Sequence, residues 1–210
     1  MKLRLSLAAA TLALAPLAAQ ANLIINGGFE NPALTSGTWS VYAAGITGWA
    51  TTFGPGIEIQ NNAAGASYEG SQHVELDSHF GTQTNSGMAQ TVPTTAGAQY
   101  LLSFAYSPRP NVDSTSNGIE LWIDSVLRES FTAAGGGATS WSLRNYTITG
   151  DGSTTIEFRA VGTSDSLGGY LDDVRLVAVQ QAPNGAPEPA SLALIGLGLA
   201  GLAAARRRKQ

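Results

Sequence analysis

Five side chains in this sequence are of the types that recognise sugars: Glu75, Glu120, Arg109, Trp122 and Tyr106. Carboxylates and guanidinium groups hydrogen-bond hydroxyls, and a flat ring covers the apolar face of a pyranose. Two carboxyls ~5 to 9 Å apart across a cleft would instead support glycoside hydrolysis, one as acid and the other as base or nucleophile. Chain spacing gives no separation for Glu75 and Glu120, so binding is the expected role and hydrolysis the alternative. Arg109 stands between Pro108 and Pro110. Their fixed φ stiffens the loop and lowers the entropy lost when its fork of donors is used; an ion pair with a neighbouring acid is the competing use. Trp39, Trp49 and Trp141 are further platforms, ranked below Trp122 because a large ring in a sheet protein is more often core.

The elements that must position these residues are strands. Short runs of alternating apolar and polar residues, broken by Gly, Ser, Thr, Asn and Pro, predict an all-β sandwich or barrel. The expected strands are 23–25, 39–43, 57–59, 72–76, 88–92, 99–106, 118–123, 126–131, 142–149, 154–160 and 171–179. Gly150-Asp151-Gly152 and Asp124-Ser125 read as tight hairpin loops. Side chains alternate across a strand, so Val74 and Leu76 face inward and turn His73, Glu75 and Asp77 outward. By the same parity Glu120 and Trp122, with Glu157 and Arg159, lie outside. If these strands share one sheet, its outer face carries carboxylates, a guanidinium and an exposed ring.

Composition removes several other chemistries. The chain has no cysteine, which excludes disulfides, thiolate catalysis and cysteine-bound zinc. Its two histidines, His73 and His79, lack the i, i+4 spacing of a zinc helix. Between Asn22 and Ala186, five basic residues face fourteen acids, a net charge of −9. No basic stripe exists there for phosphate, so nucleic acid is not an expected partner. Asn145-Tyr146-Thr147 satisfies the glycosylation sequon, a match read as chance.

Both ends look like addresses. Lys2 and Arg4 precede an apolar stretch that closes on Ala19-Gln20-Ala21, the pattern of a signal peptide over 1–21. At the other end Pro187, Glu188 and Pro189 precede an apolar run, then Arg206, Arg207, Arg208 and Lys209. As a helix the run would reach only ~24 Å, short of a ~30 Å hydrocarbon core, with its basic end held in the cytoplasm. Residues 187–210 resemble the PEP-CTERM sorting signal of Gram-negative bacteria. That resemblance implies a transmembrane sorting helix that anchors the chain transiently in the inner membrane. It also implies cutting near the Pro-Glu-Pro by an exosortase-type enzyme, and delivery to the cell surface or extracellular matrix.

Between the addresses lie a domain at 22–180 and a linker at 181–186. The opening Asn22 to Glu30, NLIINGGFE, and the closing Gly168 to Val174, GGYLDDV, resemble the end motifs of galactose-binding-like jelly rolls, which include carbohydrate-binding modules. The resemblance implies a single jelly-roll β-sandwich, an extracellular polysaccharide as partner, and a non-catalytic role in the exopolysaccharide matrix. A purely structural matrix protein is the other alternative. The resemblance also implies a structural Ca2+ held by Glu30 and Asp172 or Asp173, an oxygen donor set suited to a hard cation.

Overall fold

The computed structural model describes residues 21–78 and 83–179, with Gly198 beyond them. The chain divides into two units, Met1–Ala178 and Val179–Gln210. The signal peptide, His79, the linker, Pro187-Glu188-Pro189, the apolar run and Arg206 to Arg208 lie outside the described residues. Among those described, no helix is long and apolar enough to cross a membrane.

The described domain is all-β. Its strands are β1 Thr38–Tyr42, β2 Ala50–Phe53, β3 Ile57–Asn61, β4 His73–Glu75, β5 Gly87–Pro93, β6 Gln99–Ser107, β7 Gly118–Ile123, β8 Val126–Phe131, β9 Ser142–Thr149, β10 Ser153–Val161 and β11 Tyr170–Ala178. They form two antiparallel sheets, one of six strands in the order β1-β3-β4-β11-β6-β9 and one of five in the order β2-β5-β10-β7-β8. This is the jelly-roll sandwich, the fold that the end motifs imply.

Period-2 patterning sets the core. β6 sends Tyr100, Leu102, Phe104 and Tyr106 inward, β7 sends Ile119, Leu121 and Ile123, and β10 sends Ile156, Phe158 and Ala160. These meet Ile57, Ile59, Val74 and Leu76 from the facing sheet. Phe104 and Phe158 lie edge to face at 4.9 Å. A buried side chain of this size contributes roughly 1.5–3 kcal/mol by burial alone. The β7–β8 loop is the expected tight turn: Asp124 and Ser125 both take positive φ, 50° and 64°, the geometry that matches strand twist.

Two expectations at the strand level change. Residues 23–25 are not a strand: Leu23 makes one backbone bond, to the Leu176 carbonyl at 2.9 Å, but Ile25 pairs with a side chain instead, donating to Gln90 Oε1 at 2.7 Å and accepting from Gln90 Nε2 at 3.0 Å. Asn22 Oδ1 accepts from the N–H groups of Ile24 and Leu176. The segment tucks against a bulge in β11 between Asp172 and Arg175, where Gly27 accepts from the Val174 N–H at 2.9 Å. A Cβ on Gly27 would meet the Val174 carbonyl oxygen at 2.0 Å, so glycine is required. The second change is β2, which the sequence pattern does not announce.

Loops roof the outer face of the six-stranded sheet. Asp172 Oδ2 accepts from the N–H groups of Tyr68 and Glu69, and Glu30 Oε1 from those of Ser71 and Gln72. Trp141 Nε1 donates to the Ala66 carbonyl and Tyr170 Oη to that of Ala64. From the other side Asn117 Oδ1 accepts the Arg109 N–H, while its Nδ2 donates to the carbonyls of Val112 and Asp113.

Candidate functional site

Under this roof β3 and β4 run side by side, with Glu58 opposite Glu75 and Gln60 opposite His73. Ile57 and Ile59 face the core, so parity turns Glu58 and Gln60 toward the roofed side. Gln60 Nε2 lies 2.9 Å from Glu58 Oε1 and 2.5 Å from Glu75 Oε2, one amide bonding two carboxylates. Glu75 is fully buried. It also accepts the Gly168 N–H at 2.5 Å and pairs with Arg109 Nη1. Burial pushes its carboxyl well above the usual range, the Arg109 charge opposes this, and Glu58 adds to it.

Above this layer a cavity of about 400 Å3 opens, lined by Trp39, Glu58, Gln60, Arg109, Asp165 and Ser166 among others. Trp39 is 46% exposed at its edge. Gln60 Oε1 is buried with no hydrogen-bond partner. Asp165 Oδ2 accepts from Ser116 Oγ at 2.9 Å, and its own N–H donates to Asp77 Oδ2. Beside the cavity floor, His73 stacks 4.3 Å from Tyr170 and stands edge-on to Trp141 at 5.8 Å. Burial, with help from Arg109, lowers the His73 pKa to about 3, so the ring is neutral.

The arrangement is a ring at the mouth, a guanidinium in the wall and a floor of oxygen acceptors. It can cover an apolar sugar face and accept bonds from hydroxyls. It lacks space for a substrate between Glu58 and Glu75, because the Gln60 amide fills the gap.

Several sequence expectations are corrected here. Glu75 is not an outward, solvated residue, because the loops cover the face it occupies. Glu75 and Arg109 do not share a cleft with Glu120 and Trp122: β4 belongs to the six-stranded sheet and β7 to the five-stranded one. A hydrolytic pair of Glu75 and Glu120 therefore has no structural basis. Tyr106 is core, 2% exposed, with Oη donating to the Asn117 carbonyl and its ring edge-on to Phe131. Parity within β6 would have shown this. Trp49 is core as well.

Trp122 and Glu120 do lie on an outer face, but the ring is engaged. Trp122 Nε1 donates to Glu120 Oε2 at 2.8 Å, and the Arg159 guanidinium covers the ring at 4.0 Å. Arg159 in turn pairs with Glu157, which accepts from Thr52. Arg109 takes up the competing use, an ion pair with Glu75, and also lines the cavity. Glu58 and Gln60 were missed, although the alternation Ile57-Glu58-Ile59-Gln60 carried the signal.

The acids expected to hold calcium have other donors. Asp172 takes three N–H bonds, those above and one from Asp173 at 2.7 Å, and Asp173 pairs with Arg175. Glu30 takes two. Among the described residues no three His, Asp or Glu side chains gather into a cation site. In the structure Asp172 and Glu30 serve as anchors for residues 68–72.

Residues 186–209 match the PEP-CTERM protein-sorting motif. Over 158 residues, 73% of this chain, the sequence is 33% identical to the multifunctional-autoprocessing repeats-in-toxin protein of Vibrio vulnificus. The stretch spans about 3% of the length of the curated relatives it matches. Among solved structures, the K1 cleaved adhesin domain of Lys-gingipain from Porphyromonas gingivalis W83 superposes with a TM-score of 0.52 at 16% identity, covering 68% of this chain and 98% of that one. The MgGH51 α-L-arabinofuranosidase gives 0.52 at 14% identity, covering 76% and 26%. TmCBM61, solved with β-1,4-galactotriose, gives 0.49 at 18% identity, covering 76% and 99%. At these identities the solved structures speak to fold alone.

Proposed function

We propose that this chain, which carries a PEP-CTERM sorting motif at 186–209, is an exported, non-catalytic protein that binds polysaccharide through the cavity beside Trp39. One observation carries the reading. An exposed ring, Trp39, meets the Arg109 guanidinium and the polar side chains of Gln60 and Asp165 at one cavity.

The route we infer is export, transient anchoring in the inner membrane of a Gram-negative cell, and release by an exosortase-type enzyme to the surface or exopolysaccharide matrix. What supports it is the motif match together with the acidic, lysine-free domain between the two addresses. Polysaccharide pull-down and calorimetry against a panel of bacterial and plant glycans test the binding. Trp39→Ala should weaken binding about tenfold or more, as loss of a ring platform does in other hot spots. Trp122→Ala, on the opposite sheet, should not. Equal losses from both, or no binding to any glycan, would remove the proposal and leave a structural matrix protein.

A further inference from the structure

Of the five arginines between residues 22 and 186, four are ion-paired: Arg109 with Glu75, Arg144 with Glu129, Arg159 with Glu157, and Arg175 with Glu69 and Asp173. Arg128 is the fifth, and among the described residues no carboxylate pairs with it. Its chain neighbour Glu129 is already engaged: Oε1 accepts from Arg144 Nη1 at 2.8 Å and Oε2 from Tyr146 Oη. A bulge sends Arg128 elsewhere. In the β7–β8 ladder Leu121 opposes Glu129 and Trp122 opposes Leu127, which leaves Arg128 as the extra residue, and such a residue has its side chain re-aimed. Arg128 thereby lines a second cavity of about 410 Å3, with Ile123, Tyr146, Thr147, Ile148 and Thr149.

The four β9 residues in this lining are consecutive and belong to both faces of the strand, so the cavity runs along its edge. β9 pairs with β6 on one side and ends its sheet. Along the other side, alternate residues turn backbone N–H and C=O groups away from the ladder. The walls are apolar, from Ile123, Ile148 and the Tyr146 ring, which stacks on Phe104 at 5.8 Å. The acids of the adjoining turns are turned to the backbone: Asp124 Oδ1 accepts the Thr155 N–H and Asp151 Oδ1 the Ser153 N–H. Neither lines the cavity.

Resting on the polysaccharide-binding reading above, we infer that this edge cavity is a second glycan contact, one that takes a sugar unit bearing a single carboxylate. The Arg128 fork matches a carboxylate, the strand edge offers donors and acceptors to hydroxyls, and Ile123 with Tyr146 covers a ring face. Four β9 residues span about 10 Å, short of an added strand of about five or six residues, which favours a sugar over an extended peptide. The net charge of −9 between residues 22 and 186 repels a dense polyanion. The acid units suited to the cavity are therefore spaced among neutral ones.

Ligand-observed NMR titration of the full chain in mild detergent tests this with three probes at matched ionic strength: methyl glucuronide, its uncharged amide and methyl glucoside. The glucuronide should bind about tenfold more tightly than either neutral probe, the advantage of a charged hydrogen-bond partner. Arg128→Gln, at an exposed position, should erase that preference. Arg175→Gln removes the same charge outside the cavity lining and should leave the preference intact, as should Trp39→Ala. Equal binding of glucuronide and amide overturns the acid selectivity. A preference lost equally in both arginine variants makes the attraction diffuse, and one lost in Trp39→Ala moves the acid unit to the first cavity; either overturns the edge site. Displacement of the glucuronide by equal acetate or by a capped acidic tripeptide overturns the sugar class. All of these leave polysaccharide binding standing. If no glycan of any class binds, the polysaccharide reading falls and this inference with it.

Discussion

Arg109 reaches down through the wall of the cavity to Glu75, a carboxylate with no exposed surface. The pair joins the 107–117 loop to the floor of the six-stranded sheet. Removing one member of a buried pair strands the other, at a cost of about 3–5 kcal/mol. Arg109→Met should therefore lower the unfolding free energy in urea by about 3 kcal/mol at pH 8. Burial already raises the Glu75 pKa, and without the guanidinium it rises further. A raised carboxyl gives stability that is present in acid and lost as pH rises through the folded-state value. The deficit of the variant should thus narrow at pH 5. A deficit that stays constant with pH would show that the guanidinium acts through packing alone.

His73 titrates in the opposite sense. Its folded pKa, about 3, lies below the ordinary value of 6.5, so the unfolded chain takes up a proton that the folded chain refuses. The stability it contributes is complete above pH 6.5 and falls as pH drops toward 3, by about 1.4 kcal/mol per unit. Neither ring nitrogen has a hydrogen-bond partner. His73→Phe keeps the ring against Tyr170 and Trp141 and removes the titration. The stability difference between variant and parent, measured by denaturation from pH 7 to pH 4, should grow steadily in favour of the variant. Glu75, Asp77 and Asp172 titrate in both proteins and cancel in that difference. Parallel pH curves would mean that His73 is solvated.

Asp172 and Glu30 hold residues 68–72 over the sheet by four N–H bonds. Asp172→Ala leaves three part-buried N–H donors without their acceptor, and the loss should be about 1–2 kcal/mol. Proteolysis within 67–72 should become faster than elsewhere. Since these oxygens are engaged by the protein, the melting curve in excess chelator should overlay the curve in calcium. A melting temperature that rises with calcium would overturn this account, because a native-state ligand stabilises by mass action, and would restore the ion at Glu30 and Asp172.

What the sequence made legible follows from which interactions are local. β6, β7 and β10 alternate over six to nine residues, and period 2 alone places their inward side chains. β2 is four residues, Ala-Thr-Thr-Phe, too short to show a period, and it forms because β5 offers an edge. The segment 23–25 looks like a strand by composition, but the Gln90 amide takes the place of a ladder partner. Sheet membership was not legible at all. β4 pairs with β11 across nearly a hundred residues, and nothing in either run names the other. That long-range choice separates Glu75 from Trp122, and the roof over Glu75 comes from loops whose course depends on it.

The termini give a prediction of a different kind, one of mass and charge. Four of the chain's eleven basic residues follow Ala205, and all four lie C-terminal to the Pro187-Glu188-Pro189 triplet within or beside the matched motif. Cutting near that triplet, with removal of residues 1–21, shifts the net charge from −4 for the whole chain to −9 for 22–186. Surface-extracted protein should accordingly focus at a lower pH than the precursor, and intact-mass spectrometry should find its C-terminus near residue 187. Both changes should vanish when Pro187-Glu188-Pro189 is replaced by three alanines, with the precursor kept in the membrane fraction. Surface protein that retains Arg206 to Lys209 would contradict release by cleavage, whatever the domain binds.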